Sequence, residues 1–143
     1  MKELLKEYKV ISTVKVQWGD MDAMQHVNNV VYVKWGEMAR IDYFIALGVF
    51  SSEPNAIKFA PILGFQSVKY IMPVVYPDTI WIGTRIEEIK VDRIVLKSYY
   101  YSENKKQLVA IKTQEVIPFD YKTQMKIPVP KEIILKINDL EGL

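Results

Sequence analysis

The sequence predicts an α+β domain in which a mostly antiparallel sheet curls around one long helix. Three observations carry that expectation. A β-type alternation opens the chain, an apolar stretch with helical caps follows it, and four β-rich stretches separated by short turns fill most of the remainder. At 143 residues the chain corresponds to one domain, residues 1–143, and a core of that size needs no disulfide or metal staple.

Each element has its own signal. Within residues 9–18, Val10, Val14, Val16 and Trp18 share one parity, while Lys9, Thr13, Lys15 and Gln17 share the other. Period two with β-branched residues reads as a half-buried strand, ended by Gly19 and the acidic residues after it. Residues 30–47 read as a helix. Asn28 and Asn29 precede it, and asparagine is a favoured N-cap; Gly48 is a natural stop. Its few polar residues are Lys34, Glu37, Arg40 and Asp42. Apolar side chains therefore reach nearly all round, which predicts burial on every side. Gly36 admits close approach of another backbone, at a cost in helix propensity. Strands are expected at residues 62–72, 79–90, 93–102 and 107–117, with turns at Val91-Asp92 and Glu103-Asn104-Lys105. A short helix over residues 130–139 closes the chain. Tyr99, Tyr100 and Tyr101 fit a cross-strand aromatic ladder better than a base-stacking surface.

Composition narrows the chemistry. There is no cysteine and one histidine, His26, so thiolate nucleophiles, thiolate metal sites and sites needing two histidines from one chain are excluded. The net charge is +2, and no block of five or six like charges occurs. A nucleic-acid partner is therefore not expected. The glycines, at positions 19, 36, 48, 64, 83 and 142, form neither a dinucleotide fingerprint nor a phosphate loop. No GxSxG elbow is present. Neither a signal peptide nor an apolar run of about 20 residues is visible. A cytoplasmic protein without a membrane partner is the expectation, and no cofactor or metal is called for. Carboxylate chemistry, or none, remains.

One segment concentrates that chemistry. In residues 18–29, WGDMDAMQHVNN, two carboxylates, the only histidine and two asparagines lie between the first strand and the helix start. A helix N-terminus offers free backbone N–H groups and partial positive charge, a place for a developing oxyanion. A carboxylate just upstream is a candidate nucleophile or general base. Continuing the strand's parity places Asp20 and Asp22 on the face of Val14, Val16 and Trp18, with at least one carboxylate towards the interior. The ordinary roles compete: Asp-x-Asp as a turn and capping pair, His26 as a hydrogen-bonded structural side chain, Asn28 and Asn29 as caps. A calcium loop is disfavoured by Met24 at the next alternate position.

The string GDMDAMQHVNNVVYVKWGEMARIDYF resembles the signature of the 4-hydroxybenzoyl-CoA thioesterase family, a branch of the hot-dog-fold acyl-CoA thioesterases. SVKYIMPVVYPDTIWIGTRI resembles the family's central strand region. Together with the element order, the resemblance covers about residues 8 to 130. It implies a sheet wrapped around a long helix, an acyl-CoA substrate, and a homodimer or homotetramer with active sites at the dimer interface. It further implies Asp22 as the catalytic carboxylate and the backbone amide of Asn29 as the group polarising the thioester carbonyl. His26 and Asn28 match positions that shape the loop, and Gln25 stands where the family commonly has glycine. The implied activity is thioester hydrolysis without a metal. An acyl-carrier-protein thioesterase and a non-catalytic acyl-CoA-binding protein are the alternatives. A dehydratase is disfavoured, because the helix holds no histidine. Trp35, Met38, Phe59, Phe65 and Tyr70 are plausible pocket walls, though core is the commoner role for such residues.

Overall fold

The computed structural model describes residues 1–50 and 59–143. A short helix, α1 (Lys2–Leu5), precedes strand β1 (Val10–Lys15). The long helix α2 (Asn29–Ala46) is followed by β2 (Pro61–Tyr70), β3 (Thr79–Ile89), β4 (Ile94–Ser102), β5 (Gln107–Asp120), the two-residue β6 (Met125–Lys126) and the terminal helix α3 (Lys131–Glu141). The strands form one antiparallel sheet in the order β1-β3-β4-β5-β2, with β6 on β5. α2 lies on one face of this sheet, the expected hot-dog arrangement.

The helix begins where its caps predict. The Asn28 side chain accepts a hydrogen bond from the Val30 amide at 3.0 Å, satisfying one of the free donors of the first turn. Gly48, at φ +86°, ends it in the left-handed conformation that favours glycine. The strand at residues 9–18 is shorter than its alternation suggests. It stops at Lys15, and residues 18–20 coil into a single 3-10 turn. Strand β5 runs three residues past its expected end to Asp120, and α1 and β6 carry too few residues to register as patterns.

Burial on every side of α2 is not observed. Tyr32, Trp35, Gly36, Ala39, Tyr43 and Phe44 are buried, a stripe at helical spacing that faces the sheet. Val30, at 65% exposure, and Ile45, at 57%, lie in solvent. One sheet covers one side of a cylinder, so the apolar residues opposite have no sheet to pack against among the described residues. Gly36 also works differently from expectation. What comes close is not another backbone but two side chains: a Cβ at Gly36 would collide with the Tyr100 phenol and the Lys112 stem. Both reach past the glycine to the helix backbone. Tyr100 Oη donates to the Tyr32 carbonyl at 2.7 Å, and Lys112 Nζ donates to the Val33 carbonyl at 3.1 Å.

The core beneath α2 is divided. One apolar cluster gathers Tyr43, Phe44, Leu47, Leu96 and Ile133 towards the helix C-terminus; the other gathers Val27, Tyr32, Trp35, Ile80 and Val109 towards its start. Between them runs a polar row. Thr84 lies opposite Ser98, and Ser98 opposite Lys112, across β3, β4 and β5. Thr84 and Ser98 hydroxyls bond at 2.9 Å, and Gln114 accepts from Arg40 Nη1 at 2.8 Å. The tyrosine run splits across the sheet. Tyr100 faces α2 beside Tyr32, with ring centroids 5.9 Å apart. Tyr99 and Tyr101 instead flank Tyr8 of the N-terminal segment at 5.6 and 6.1 Å, and Trp81 of β3 lies opposite Tyr101 in the same cluster, so a cross-strand aromatic pair is joined by a ring from the N-terminal segment.

Two stability predictions follow from the helix seat. Gly36→Ala gains helix propensity but overpacks against two hydrogen-bonded side chains. The net effect expected in chemical denaturation is a loss of about 1–3 kcal/mol. Lys112 is fully buried, and burial, with Arg40 as a second cause, pulls its ammonium down to about 8. The unfolded chain then holds that proton more tightly, so stability should rise with pH from about 8 towards the ordinary lysine value. Urea titrations between about pH 7 and pH 9.5 should show this rise in the parent and its absence in Lys112→Met. That variant should be as stable at neutral pH, or more so by the order of 1 kcal/mol.

Candidate active site

The segment between β1 and α2 is built almost wholly from local hydrogen bonds. At its first turn, Asp20 Oδ2 accepts from the Gln17 amide at 2.8 Å while the Asp20 amide donates back to the Gln17 carbonyl at 2.9 Å. The first carboxylate of the pair is therefore a turn cap. A tight hairpin follows, closed by an antiparallel bridge between Met21 and Val27. Inside it the Asp22 amide donates to the His26 carbonyl at 3.1 Å, and the Gln25 amide donates to the Asp22 carbonyl at 2.9 Å. Gln25 turns the corner at φ +62°, a left-handed conformation costing a non-glycine residue roughly 1 kcal/mol. The Val27 amide then ties the hairpin to the Val74 carbonyl at 2.8 Å.

Both aspartates depart from the parity expectation. Asp22 is exposed and Asp20 half-buried, and Trp18 stands 73% exposed. The 3-10 turn and the hairpin break the period-two rotation, so neither carboxylate is carried into the core. Asp22 uses one oxygen, Oδ1, to accept from the Met24 amide at 2.9 Å. Its other oxygen has no protein partner among the described residues. This is half a turn cap, with one carboxylate oxygen left for other chemistry.

At the helix start the two asparagines divide the work. Asn28 caps with its side chain, and its own amide donates to the Asp20 carbonyl at 2.9 Å. The Asn29 amide makes no hydrogen bond among the described residues, which leaves a free donor at the positive end of an 18-residue helix. The Asn29 carbonyl accepts from Tyr70 Oη on β2 at 2.8 Å. Tyr70 stacks edge-on against Tyr32, with centroids 5.1 Å apart. Burial raises both phenols, Tyr32 to about 12, so Tyr70 remains a neutral donor to that carbonyl. The His26 side chain is exposed and has no hydrogen-bond partner among the described residues.

Two clefts flank this loop. Asp22 lines one of about 420 Å³ with Trp18, Met21, Gln25, Val75 and Tyr76. His26 and the Asn29 segment line another of about 310 Å³, with Tyr32, Tyr70, Ile71 and Pro73 among their neighbours. Within one chain the carboxylate and the free amide thus belong to neighbouring clefts that share the loop and the 71–76 segment. Of the expected wall residues, Tyr70 takes that place. Trp35 and Met38 belong to the core. Phe59 lines a separate cleft near Arg40 and Phe44, and Phe65 is exposed on β2. Sequence reasoning passed over Trp18, Gln25, Val75 and Tyr76 as wall residues. The one signal for Trp18, Val75 and Tyr76 is that large apolar side chains crowd next to turn-forming residues, where solvent-exposed loops are usually polar. Among the described residues no three His, Cys, Asp or Glu side chains converge as metal ligands. No helix there is long and apolar enough to cross a membrane.

Comparison with known proteins gives the family and the fold. The model of the thioesterase-like superfamily matches residues 16–137. Among solved structures, a thioesterase from Thermus thermophilus, complexed with coenzyme A and zinc, superposes with a TM-score of 0.82 at 22% identity, covering 96% of this chain and 98% of that one. A DHNA-CoA thioesterase from Staphylococcus aureus gives 0.76 at 22% identity over 92% of each chain. A putative thioesterase from Pseudomonas aeruginosa gives 0.76 at 24% identity, covering 91% of this chain and 98% of that one. Comparison with curated proteins gives no significant match.

The cap is testable by itself. Asn28→Ala should cost about 1 kcal/mol, read as a drop of a few degrees in the calorimetric melting temperature.

Proposed function

The chain belongs to the thioesterase-like superfamily and is a thioester hydrolase, and from that premise we propose that it hydrolyses an acyl-CoA thioester to the free acid and CoA. Asp22 is the nucleophile or general base, and the Asn29 amide is the oxyanion donor. The observation that carries the assignment is the pairing of one half-free carboxylate with one unbonded helix-start amide across a single short loop. A coenzyme A complex of a similarly folded protein supports the choice of CoA. The string of residues 20–32, with its Asp-x-Asp, His-Val-Asn-Asn and tyrosine, favours the 4-hydroxybenzoyl-CoA thioesterase branch of the superfamily.

In the proposed reaction the thioester oxygen accepts from the Asn29 N–H, reinforced by the helix dipole. Asp22 then follows one of two courses. It removes a proton from water as the water oxygen adds to the carbonyl carbon, or its carboxylate oxygen adds directly. Either way, negative charge gathers on the carbonyl oxygen at the helix start. The C–S bond then breaks, and CoA departs as a thiolate that takes up a proton. In the direct course water afterwards cleaves the acyl–aspartyl anhydride, releasing the acid and restoring Asp22. General-base catalysis contributes about 10²–10⁴ in rate and a single oxyanion donor about 10²–10³. Asn28 keeps the Asn29 amide free by capping the next one, and His26 lines the amide's cleft.

A second copy of the chain completes the site in this proposal. Two features support it: the apolar outer face of α2 at Val30, Ile41 and Ile45, and strand β2, whose outer edge pairs with no other strand among the described residues. Joining two β2 edges covers both and brings a second set of loops towards the clefts.

A panel of aliphatic and aromatic acyl-CoAs, followed through release of free thiol, tests the assignment. Turnover of at least one member is expected, and Asp22→Asn should lower kcat at least about 100-fold with the fold retained. Undiminished turnover in that variant removes Asp22 from the mechanism.

A further inference from the structure

The loop that carries Asp22 and the Asn29 amide is tied down at two points, and both lie on one short stretch of chain. Residues 71–74, directly after β2, are fastened to the sheet. The Ile71 and Met72 amides both donate to the Val109 carbonyl of β5, at 2.8 and 3.1 Å. Lys105 Nζ donates to the Pro73 carbonyl, and Val74 is fully buried. The Val27 amide, at the foot of the hairpin, donates to the Val74 carbonyl at 2.8 Å. Tyr70 Oη, at the end of β2, donates to the Asn29 carbonyl at 2.8 Å. The carboxylate and the amide therefore keep their spacing through a common platform rather than through the turn between them.

The two ties differ in kind. The Val27–Val74 bond joins main chain to main chain, so no side-chain change removes it. The Tyr70 bond hangs on one hydroxyl. The other hydrogen bonds around the helix start are local: the Asn28 amide to the Asp20 carbonyl, the Val30 amide to the Asn28 side chain, and the Val31 amide to the Asn28 carbonyl. They travel with the first turn if it frays, as helix ends do. Among the described residues, Tyr70 Oη is thus the one hydrogen bond that ties the peptide groups of residues 28–31 to the sheet. Its ring is seated without that bond, edge-on against Tyr32. A carbonyl held from outside fixes the plane of its own peptide, and the Asn29 N–H lies one residue's rotation away.

We propose that Tyr70 is a positioning residue for the hydrolysis: its phenol holds the Asn29 backbone so that the Asn29 N–H stays aimed at the thioester oxygen. The proposal rests on that amide being the oxyanion donor. In this role Tyr70 touches neither the reacting carbonyl nor Asp22. A donor contributes only when it points at the place where charge develops, so a loosened first turn lowers the rate and leaves affinity nearly as it was. Removing a donor outright costs about 10²–10³ in rate, and a donor that stays but loses its aim should cost part of that, about 10-fold.

Tyr70→Phe takes away one oxygen and keeps the ring. On the acyl-CoA that the parent turns over fastest, kcat should fall about 10-fold while KM stays within about 2-fold. The melting temperature should drop by no more than a few degrees. A second readout is one that a purely structural loss does not move: the infrared carbonyl stretch of a bound ketone analogue. In that analogue a methylene replaces the sulfur, and the carbonyl carbon is isotope-labelled. In the parent the band should lie below its frequency in buffer, and in Tyr70→Phe it should move back towards that frequency and broaden. A band shifted equally in both proteins, or parent kcat in Tyr70→Phe, overturns the proposal and leaves the Asn29 amide as the donor. A parent band at the buffer frequency means that no donor meets the carbonyl, and the assignment of Asn29 then fails together with that of Tyr70. If no acyl-CoA is turned over, the hydrolytic assignment fails on its own. The band of the most tightly bound analogue, compared between the two proteins, then decides whether Tyr70 aims the amide.

Discussion

The depth at which α2 sits on the sheet governs most of what the molecule presents to solvent. That depth is set where Gly36 has no side chain, and where Tyr100 and Lys112 reach consecutive carbonyls of the helix backbone. A helix is stiff, rising 1.5 Å per residue, so fixing it at its second turn fixes its first. The Asn29 amide, the Asn28 cap and the hairpin that feeds into them all inherit their position from that contact. The row of polar side chains between the two halves of the core belongs to the same contact. It brings charge into a place where apolar packing would be at least as stable, and it gives the helix one seat rather than a slippery apolar face.

Around the helix start, identical residue types receive different tasks from their local hydrogen bonds. Asp20 is drawn into a reciprocal cap with Gln17, while Asp22 gives one oxygen to its turn and keeps the other. Asn28 spends its side chain on the amide of Val30, and so the amide of Asn29 is spared. No residue needs burial to be set apart. Turn geometry alone assigns the roles, which suits a short exposed loop anchored at one end by a rigid helix and at the other by the Val27–Val74 bond.

The regular elements were legible because their periodicities are strong. The helix boundaries follow from Asn28 and Gly48, and the sheet strands from β-branched runs broken at Val91-Asp92 and at residues 103–105. Positions inside the loop were not legible by extrapolation. A continued strand rotation would carry Asp20 and Asp22 to the inner face, but a reciprocal cap over residues 17–20 stops it. The outer face of α2 misled for another reason. A helical wheel counts apolar residues without saying which of them the fold covers, and Val30 and Ile45 belong to a face that stands exposed among the described residues. Tyr76 and Val75 became visible as part of the site only in three dimensions, because the Val27 amide brings a segment nearly fifty residues distant against the hairpin.

Strand β2 combines two properties. Among the described residues it is the last strand of the sheet, with one side unpaired, and through Tyr70 it holds the first carbonyl of α2. Whatever docks along that open side therefore presses on the strand that steadies the helix start. A tilt of β2 reaches the Asn29 peptide through one phenol, with no intervening loop to absorb it. An assembly along that rim would in this way be mechanically joined to the aim of the helix's free donor, the sheet edge acting as a lever on the helix start.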